Sequence, residues 1–285
     1  MHSEPRASAT LPSRRTLLAA VVFALGTQGC AHKPAPAVTV PEPVAQAAAP
    51  APQSVPAPAP APFVEQLALD RLKAMSDKLV AAQAFTYQSR STVEMPAKTG
   101  QFLTHFIESA VAVQRPNQLR ATVTGDLPNF QFYYDGTNIA ALDPKNNLYA
   151  TAKAPGTIDE MLPFVMEKAG IDFPSADFLM SNPYAELTKG LTHAIVVGPV
   201  KVNGVACEHY AFMSDAANWE IWIDANGLPR RLATTYKTVA NFPRFLVEFL
   251  DWNLKPKLSA TAFVFKKPSG AKEIEFGSRV QNPPQ

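Results

Sequence analysis

The residues with the most obvious chemical potential are Cys207-Glu208-His209, with His193 upstream. Cys207 and His209 are two apart, so a strand would place both on one face. A thiol beside an imidazole suits metal binding or thiol catalysis. A metal site needs three or four ligands, and no second cluster stands elsewhere in the chain. The expected outcome is a buried thiol beside a half-exposed histidine, with no metal and no cofactor. Asp159 and Glu160 are adjacent at a helix start, where they favour the helix dipole; acid–base work needs convergent carboxylates, which spacing alone does not show. There is no Gly-Xaa-Ser-Xaa-Gly elbow, no phosphate loop and no His-Glu-Xaa-Xaa-His. No catalytic residue is assigned, and the chain reads as a non-enzymatic protein.

The second cysteine, Cys30, carries a different chemistry. Arg14 and Arg15 precede the apolar run Thr16 to Leu25, which is the layout of a secretory signal and is short for a membrane span. Ser13-Arg14-Arg15-Thr16-Leu17-Leu18 is similar to a twin-arginine export motif, and Sec export stays open beside it. The segment ends Leu25-Gly26-Thr27-Gln28-Gly29-Cys30. A small residue before Cys after an apolar run resembles a lipobox, in which the cysteine thiol is acylated. Ordinary cleavage after Ala31 is the alternative. Lipidation of Cys30 is favoured, because exported chains rarely keep an unpaired cysteine. It would place the protein in the periplasm, anchored to the outer membrane by its N-terminal lipid.

Ten of the 27 prolines fall between Pro34 and Pro62. Alternating Ala and Pro cannot build a helix or sheet, so residues 31–62 read as a semi-rigid spacer. Three organisational units follow: 1–30 as export signal, 31–62 as linker and 63–285 as folded domain. Arg6, Arg14, Arg15 and Glu4 give the first 30 residues the chain's whole net charge of +2. The remainder is balanced, with 23 basic and 23 acidic residues, which speaks against a nucleic-acid partner.

Within the domain, Val64, Leu67, Ala68, Leu72, Met75, Leu79 and Val80 recur at three- and four-residue spacing, predicting an amphipathic helix over 63–84. Residues 85–95 alternate with period two. The strand 101–114 is apolar on both faces, with Phe102 and Phe106 on one and Leu103, Ile107, Val111 and Val113 on the other. Such a strand is covered on both sides or lines an apolar cavity. Turns at Arg115-Pro116-Asn117, Gly125 to Asn129, Asp135-Gly136 and Asp143-Pro144 predict an antiparallel meander to Ala152. Thr157 to Glu160 forms a capping box opening a helix with Met161, Leu162, Phe164, Val165 and Met166. Pro163 should bend or shorten it. A second short helix starts at Asn182-Pro183, so residues 154–190 read as a helical lid or plug. Asn203-Gly204 predicts a tight hairpin. Further strands are expected at 219–223, 230–236, 245–252 and 261–265, with 274–276 at an edge.

Val113-Gln114-Arg115-Pro116-Asn117, Tyr133-Tyr134-Asp135-Gly136, Leu142-Asp143-Pro144, and Thr261 to Phe265 through Pro268 to Ala271 resemble, in order and spacing, the LolA/LolB-like superfamily. The resemblance spans about 63–276 and is strongest to predicted periplasmic proteins without an assigned role. It implies an α+β fold: an antiparallel incomplete β-barrel with an N-terminal helix and short lid helices over an apolar cavity. It implies a lipid or lipoprotein acyl chain as ligand. Phe85, Tyr87, Phe102, Phe106, Phe130, Phe132 and Tyr134 become candidate cavity residues. Met161, Leu162, Phe164 and Val165 become lid residues, and Arg115 becomes the side chain that bonds lid backbone and holds it closed. The alternative is a tethered module that contacts an envelope protein partner and binds no small ligand.

Overall fold

The computed structural model describes residues 61–277 except Asp172, Pro174 and Ala260. The export segment, Cys30 and nearly all of the spacer lie outside the described residues. Thirteen strands form one sheet, running from Phe63–Val64 at one edge to Lys272–Glu273 at the other. The protein is mostly β with few helices, and the sheet is open, since these two end strands do not pair with each other.

The chain enters through β1 (Phe63–Val64), parallel to β8, and turns into α1 (Gln66–Ala81). α1 buries Ala68, Leu72, Met75 and Leu79 of the predicted stripe, whereas Leu67 is exposed, Val80 is half-buried and Val64 belongs to β1. β2 (Ala84–Pro96) and β3 (Phe102–Gln114) form a long antiparallel ribbon, pairing Ala84 with Gln114 and Pro96 with Phe102. β4 (Gln118–Gly125), β5 (Phe130–Tyr134), β6 (Asn138–Asp143) and β7 (Leu148–Lys153) extend the meander at the predicted turns. β4 leaves β3 at Gly125, where φ is +138° and an added Cβ would lie 2.2 Å from the Phe106 carbonyl oxygen. The far end of the β2–β3 ribbon therefore runs on without β4 beside it.

The helical region comes next. α2 (Ile158–Ala169) starts at Thr157, whose hydroxyl accepts from the Glu160 N–H, and ends at Gly170. Pro163 does not shorten it, and its ring is exposed. A 3₁₀ turn (Ala176–Phe178) and α3 (Pro183–Leu187), capped by Asn182, complete the segment. β8 (Leu191–Val202) and β9 (Val205–Ser214) then close the Asn203-Gly204 hairpin, and β10 (Ala217–Asp224), β11 (Pro229–Tyr236) and β12 (Arg244–Asn253) return the chain to β2.

One expected strand is absent. Residues 261–265 form an irregular turn, and the final strand is β13 (Lys272–Glu273), parallel to β7, rather than 274–276. The apolar alternation there serves packing instead of pairing. Phe263 is buried, and the Phe265 ring lies 5.6 Å from Tyr133 and 5.3 Å from Tyr149 on the outer face of the meander.

The helices and the 3₁₀ turn pack on the other, inner face. There Phe85, Phe132, Tyr134, Leu72, Met161, Val165 and Phe178 belong to one continuous core. Three carboxylates finish strands whose neighbours depart. Glu65 accepts from the Val196 N–H at 3.0 Å, Asp126 from the Phe106 N–H at 2.8 Å and Glu94 from the Arg244 N–H at 2.8 Å.

Candidate functional site

The site is built on the inner face of β2 and β5. Period two sends Phe85 and Tyr87 inward from β2, and Phe130, Phe132 and Tyr134 inward from β5. Phe85, Tyr87, Phe132 and Tyr134 are buried, and Phe130 is half-buried against the same core. β12 adds Phe249, whose ring meets Tyr87 edge-on at 5.5 Å, and Trp252, 4.7 Å from Tyr87 and 5.9 Å from Phe85. The helical segment closes over these rings. Phe178 stands edge-on to Phe249 at 5.3 Å, and Phe173 edge-on to Phe132 at 5.2 Å. Met161, Leu162 and Val165 are buried beneath α2, and Phe164 is half-buried.

Two of the expected cavity residues lie elsewhere. Phe85 and Tyr87 pair with Val113 and Val111, so the inner residues of β3 are odd-numbered. Phe102 and Phe106 project from the outer face, and Phe106 is 63% exposed. Both faces of β3 are apolar, yet this end of the ribbon has outrun its neighbours, and among the described residues the outer side is left half-covered at Phe102 and open at Phe106. The inner face is filled by side chains. Two shallow, solvent-open depressions among the described residues lie outside it, over β2–β4. One of about 170 Å³ is lined by Arg90, Glu108 and Thr122; the other, of about 400 Å³, by Arg90, Phe106 and Asp126.

Arg115 occupies the β3–β4 turn and reaches across to the helical segment. One Nη donates to the carbonyls of Leu179 and Met180, both at 2.9 Å, and the other to Phe178 at 3.4 Å. Its guanidinium carbon lies 5.5 Å over the Phe85 ring, and its Nε is buried without a hydrogen-bond partner among the described residues. Burial lowers the guanidinium pKa from its ordinary value, while the Asp159 carboxylate works to raise it. The neighbouring Pro116 carbonyl accepts from the Ile158 N–H at 2.9 Å, so the same turn also receives the start of α2. Burial pushes the Tyr87 hydroxyl up to about 12, against the pull of its bond with Ser175.

Sequence reasoning missed Asp159 as a contact. It accepts the Ser181 N–H at 2.8 Å and the Ser181 hydroxyl. Nothing in the spacing of residues 159 and 181 signals this pairing. Phe249 and Trp252 were legible only as strand residues.

The Cys207 region does not converge on chemistry. Cys207 is buried with its thiol 3.5 Å from the Val205 carbonyl, and burial pushes that thiol up, away from a reactive thiolate. His209 bonds Glu220 at 2.9 Å and stacks on Trp222, whereas His193 contacts Thr192. No group of three metal-ligating side chains gathers among the described residues.

Among solved structures, the chain is similar to the lipoprotein LppX of Mycobacterium tuberculosis. They share 12% identity over 68% of this chain and 100% of that one, with a TM-score of 0.43. It is similar to LprF of Mycobacterium bovis at 12% identity over 75% of this chain and 100% of that one, TM-score 0.42. It is also similar to MucB at 14% identity and TM-score 0.37, covering 71% of this chain but only 64% of MucB. No curated protein matches the sequence significantly. The model of one family does, over residues 68–277. That span holds the whole inner-face core and the Arg115 turn, and the chain belongs to this family, the DUF2092 predicted periplasmic proteins.

Proposed function

We propose that this is a non-enzymatic cell-envelope protein that takes a hydrophobic ligand, a lipid or lipoprotein acyl chain, between the inner face of an incomplete barrel and a helical lid. The observation that carries the reading is Arg115. One side chain from the sheet holds three successive carbonyls of a segment that covers an aromatic face. A cover tied by a few hydrogen bonds opens at low cost compared with global unfolding. In this reading the filled interior is the closed, empty form, and Phe178, Leu179 and Met180 occupy the place that acyl chains take on opening. Acylation of Cys30 would tether the domain to the outer membrane through the Ala/Pro spacer.

Native mass spectrometry of the full chain, exported and purified from the bacterial envelope with minimal detergent, tests this. Co-purifying lipid-sized mass, lost when Phe132 is replaced by a charged residue in protein that stays folded, supports it. A clean apo mass with no uptake of added phospholipid or lipopeptide overturns it.

A second reading is a tethered module that contacts an envelope protein and binds no small ligand. The filled inner face favours it, as does the exposed Phe106 at the uncovered end of the ribbon. The overturning result above would move the assignment there.

A further inference from the structure

We propose that Arg115 is also the headgroup site, and that the protein selects amphiphiles whose apolar tail ends in an anionic carboxylate or phosphate. This rests on the ligand-binding reading and gives that ligand a chemical class.

The closed form leaves the guanidinium under-served. Arg carries five N–H donors in a rigid fork suited to two-pronged binding of carboxylate or phosphate. Here the bonded acceptors are three peptide carbonyls, all neutral, one of them at the long distance of 3.4 Å. The Nε donor is buried and unused among the described residues. Asp159 acts on the cation electrostatically, but its two oxygens are already hydrogen-bonded to Ser181. The cation also lies on the Phe85 ring, at the border of the aromatic face where a tail would rest.

Ligand energetics then favour an anionic head. A ligand opens a closed form only by its differential affinity for the open one. A tail alone gains little, because Phe178, Leu179 and Met180 are already buried in the core that it would enter. Replacing one apolar cover by another is close to neutral. The head supplies the difference. A carboxylate or phosphate takes over the Arg115 donors from the carbonyls, engages Nε and forms charge-assisted bonds about twice as strong as neutral ones. A hydroxyl head cannot make that exchange.

The test compares hexadecanoate, hexadecyl phosphate and hexadecanol, which share one tail, against the full chain by calorimetry or displacement of a fluorescent probe. Inorganic phosphate serves as the tail-free control. Hexadecanoate or hexadecyl phosphate should bind about tenfold tighter than the alcohol, and inorganic phosphate should not register. Arg115→Gln should collapse the acid-to-alcohol ratio towards one. The ratio is the readout because loosening the lid alters both ligands alike. Arg115→Lys keeps the charge without the fork, should retain part of the preference, and serves if the glutamine variant fails to fold. Equal binding of acid and alcohol by the wild-type chain, or a ratio unmoved in Arg115→Gln, overturns the headgroup assignment and leaves the ligand-binding reading standing. Binding of none of the tailed ligands overturns both.

Discussion

Asp159 grips Ser181 directly after the three residues whose carbonyls Arg115 holds. The carboxylate on the first turn of α2 takes the Ser181 N–H and hydroxyl, while Arg115 takes the carbonyls of the three residues before it. The stretch from Phe178 to Ser181 is thus tied both to the β3–β4 turn and to α2. Asp159→Ala should weaken local closure by about 1–2 kcal/mol, roughly a tenfold rise in opening. Hydrogen exchange of the amides in 176–187 measures this directly, and Ser181→Ala, which removes only the hydroxyl, should give a smaller rise. Unchanged exchange in Asp159→Ala would show that the clamp is one-sided.

Phe132 and Phe106 are both strand phenylalanines, yet one is fully buried and the other 63% exposed. Phe132→Ala should cost about 3–5 kcal/mol of stability through lost burial and the cavity left behind. Phe106→Ala should stay within about 0.5 kcal/mol. Urea denaturation of the two variants separates them. Equal losses would mean that the outer face at Phe106 is covered in the folded protein.

Two carboxylates tie stability to pH. Burial works to raise Asp135, but hydrogen bonds from the Asn138 and Thr137 backbone outweigh it and leave the pKa lowered. Glu248 behaves alike, with burial offset by Arg231 and Asn203. A lowered folded pKa contributes stability that is present above the unfolded carboxylate value, about pH 4, and is lost as pH falls through the folded value. The stability gap between wild type and either Asp135→Asn or Glu248→Gln should therefore be wider at pH 7 than at pH 3. A gap of the same size at both pH values would contradict this.

Gly125→Ala should destabilise the protein by about 2 kcal/mol or more, because the added methyl meets the Phe106 carbonyl in a backbone conformation that side chains avoid. Thermal unfolding checks it. Gly100→Ala, also at positive φ but with nothing within 4 Å of the added atom, isolates the steric part. Similar shifts in the two variants would leave the close contact without weight.

Much of this fold was legible because local chemistry dictates it. The α1 stripe, the meander turns, the Thr157 cap and the Asn203-Gly204 hairpin each rest on neighbours within a few residues. What failed depended on distance. The outward facing of Phe102 and Phe106 was decided by the β2–β3 register, and the exposure of Phe106 by where β4 stops, some twenty residues later. The apolar alternation of 261–265 was indistinguishable from a strand, and only the Tyr133 and Tyr149 rings beneath it explain the irregular turn. In the site, the aromatic face followed from period two, whereas the Asp159–Ser181 contact joins residues with no sequence relation.

Glu65 and Asp126 each accept the next N–H of the strand their own strand leaves, and Glu94 accepts the N–H at the end of β12. An open sheet offers unpaired backbone groups that can template the addition of a further chain. A carboxylate at each of these points occupies the donor and sets a negative charge where an incoming strand would bring its own carbonyl oxygen. Glu65, beside the edge strand β1, thus disfavours addition of a further strand there. Together the three carboxylates satisfy backbone donors at three points where pairing ends within a thirteen-stranded sheet that stays unclosed.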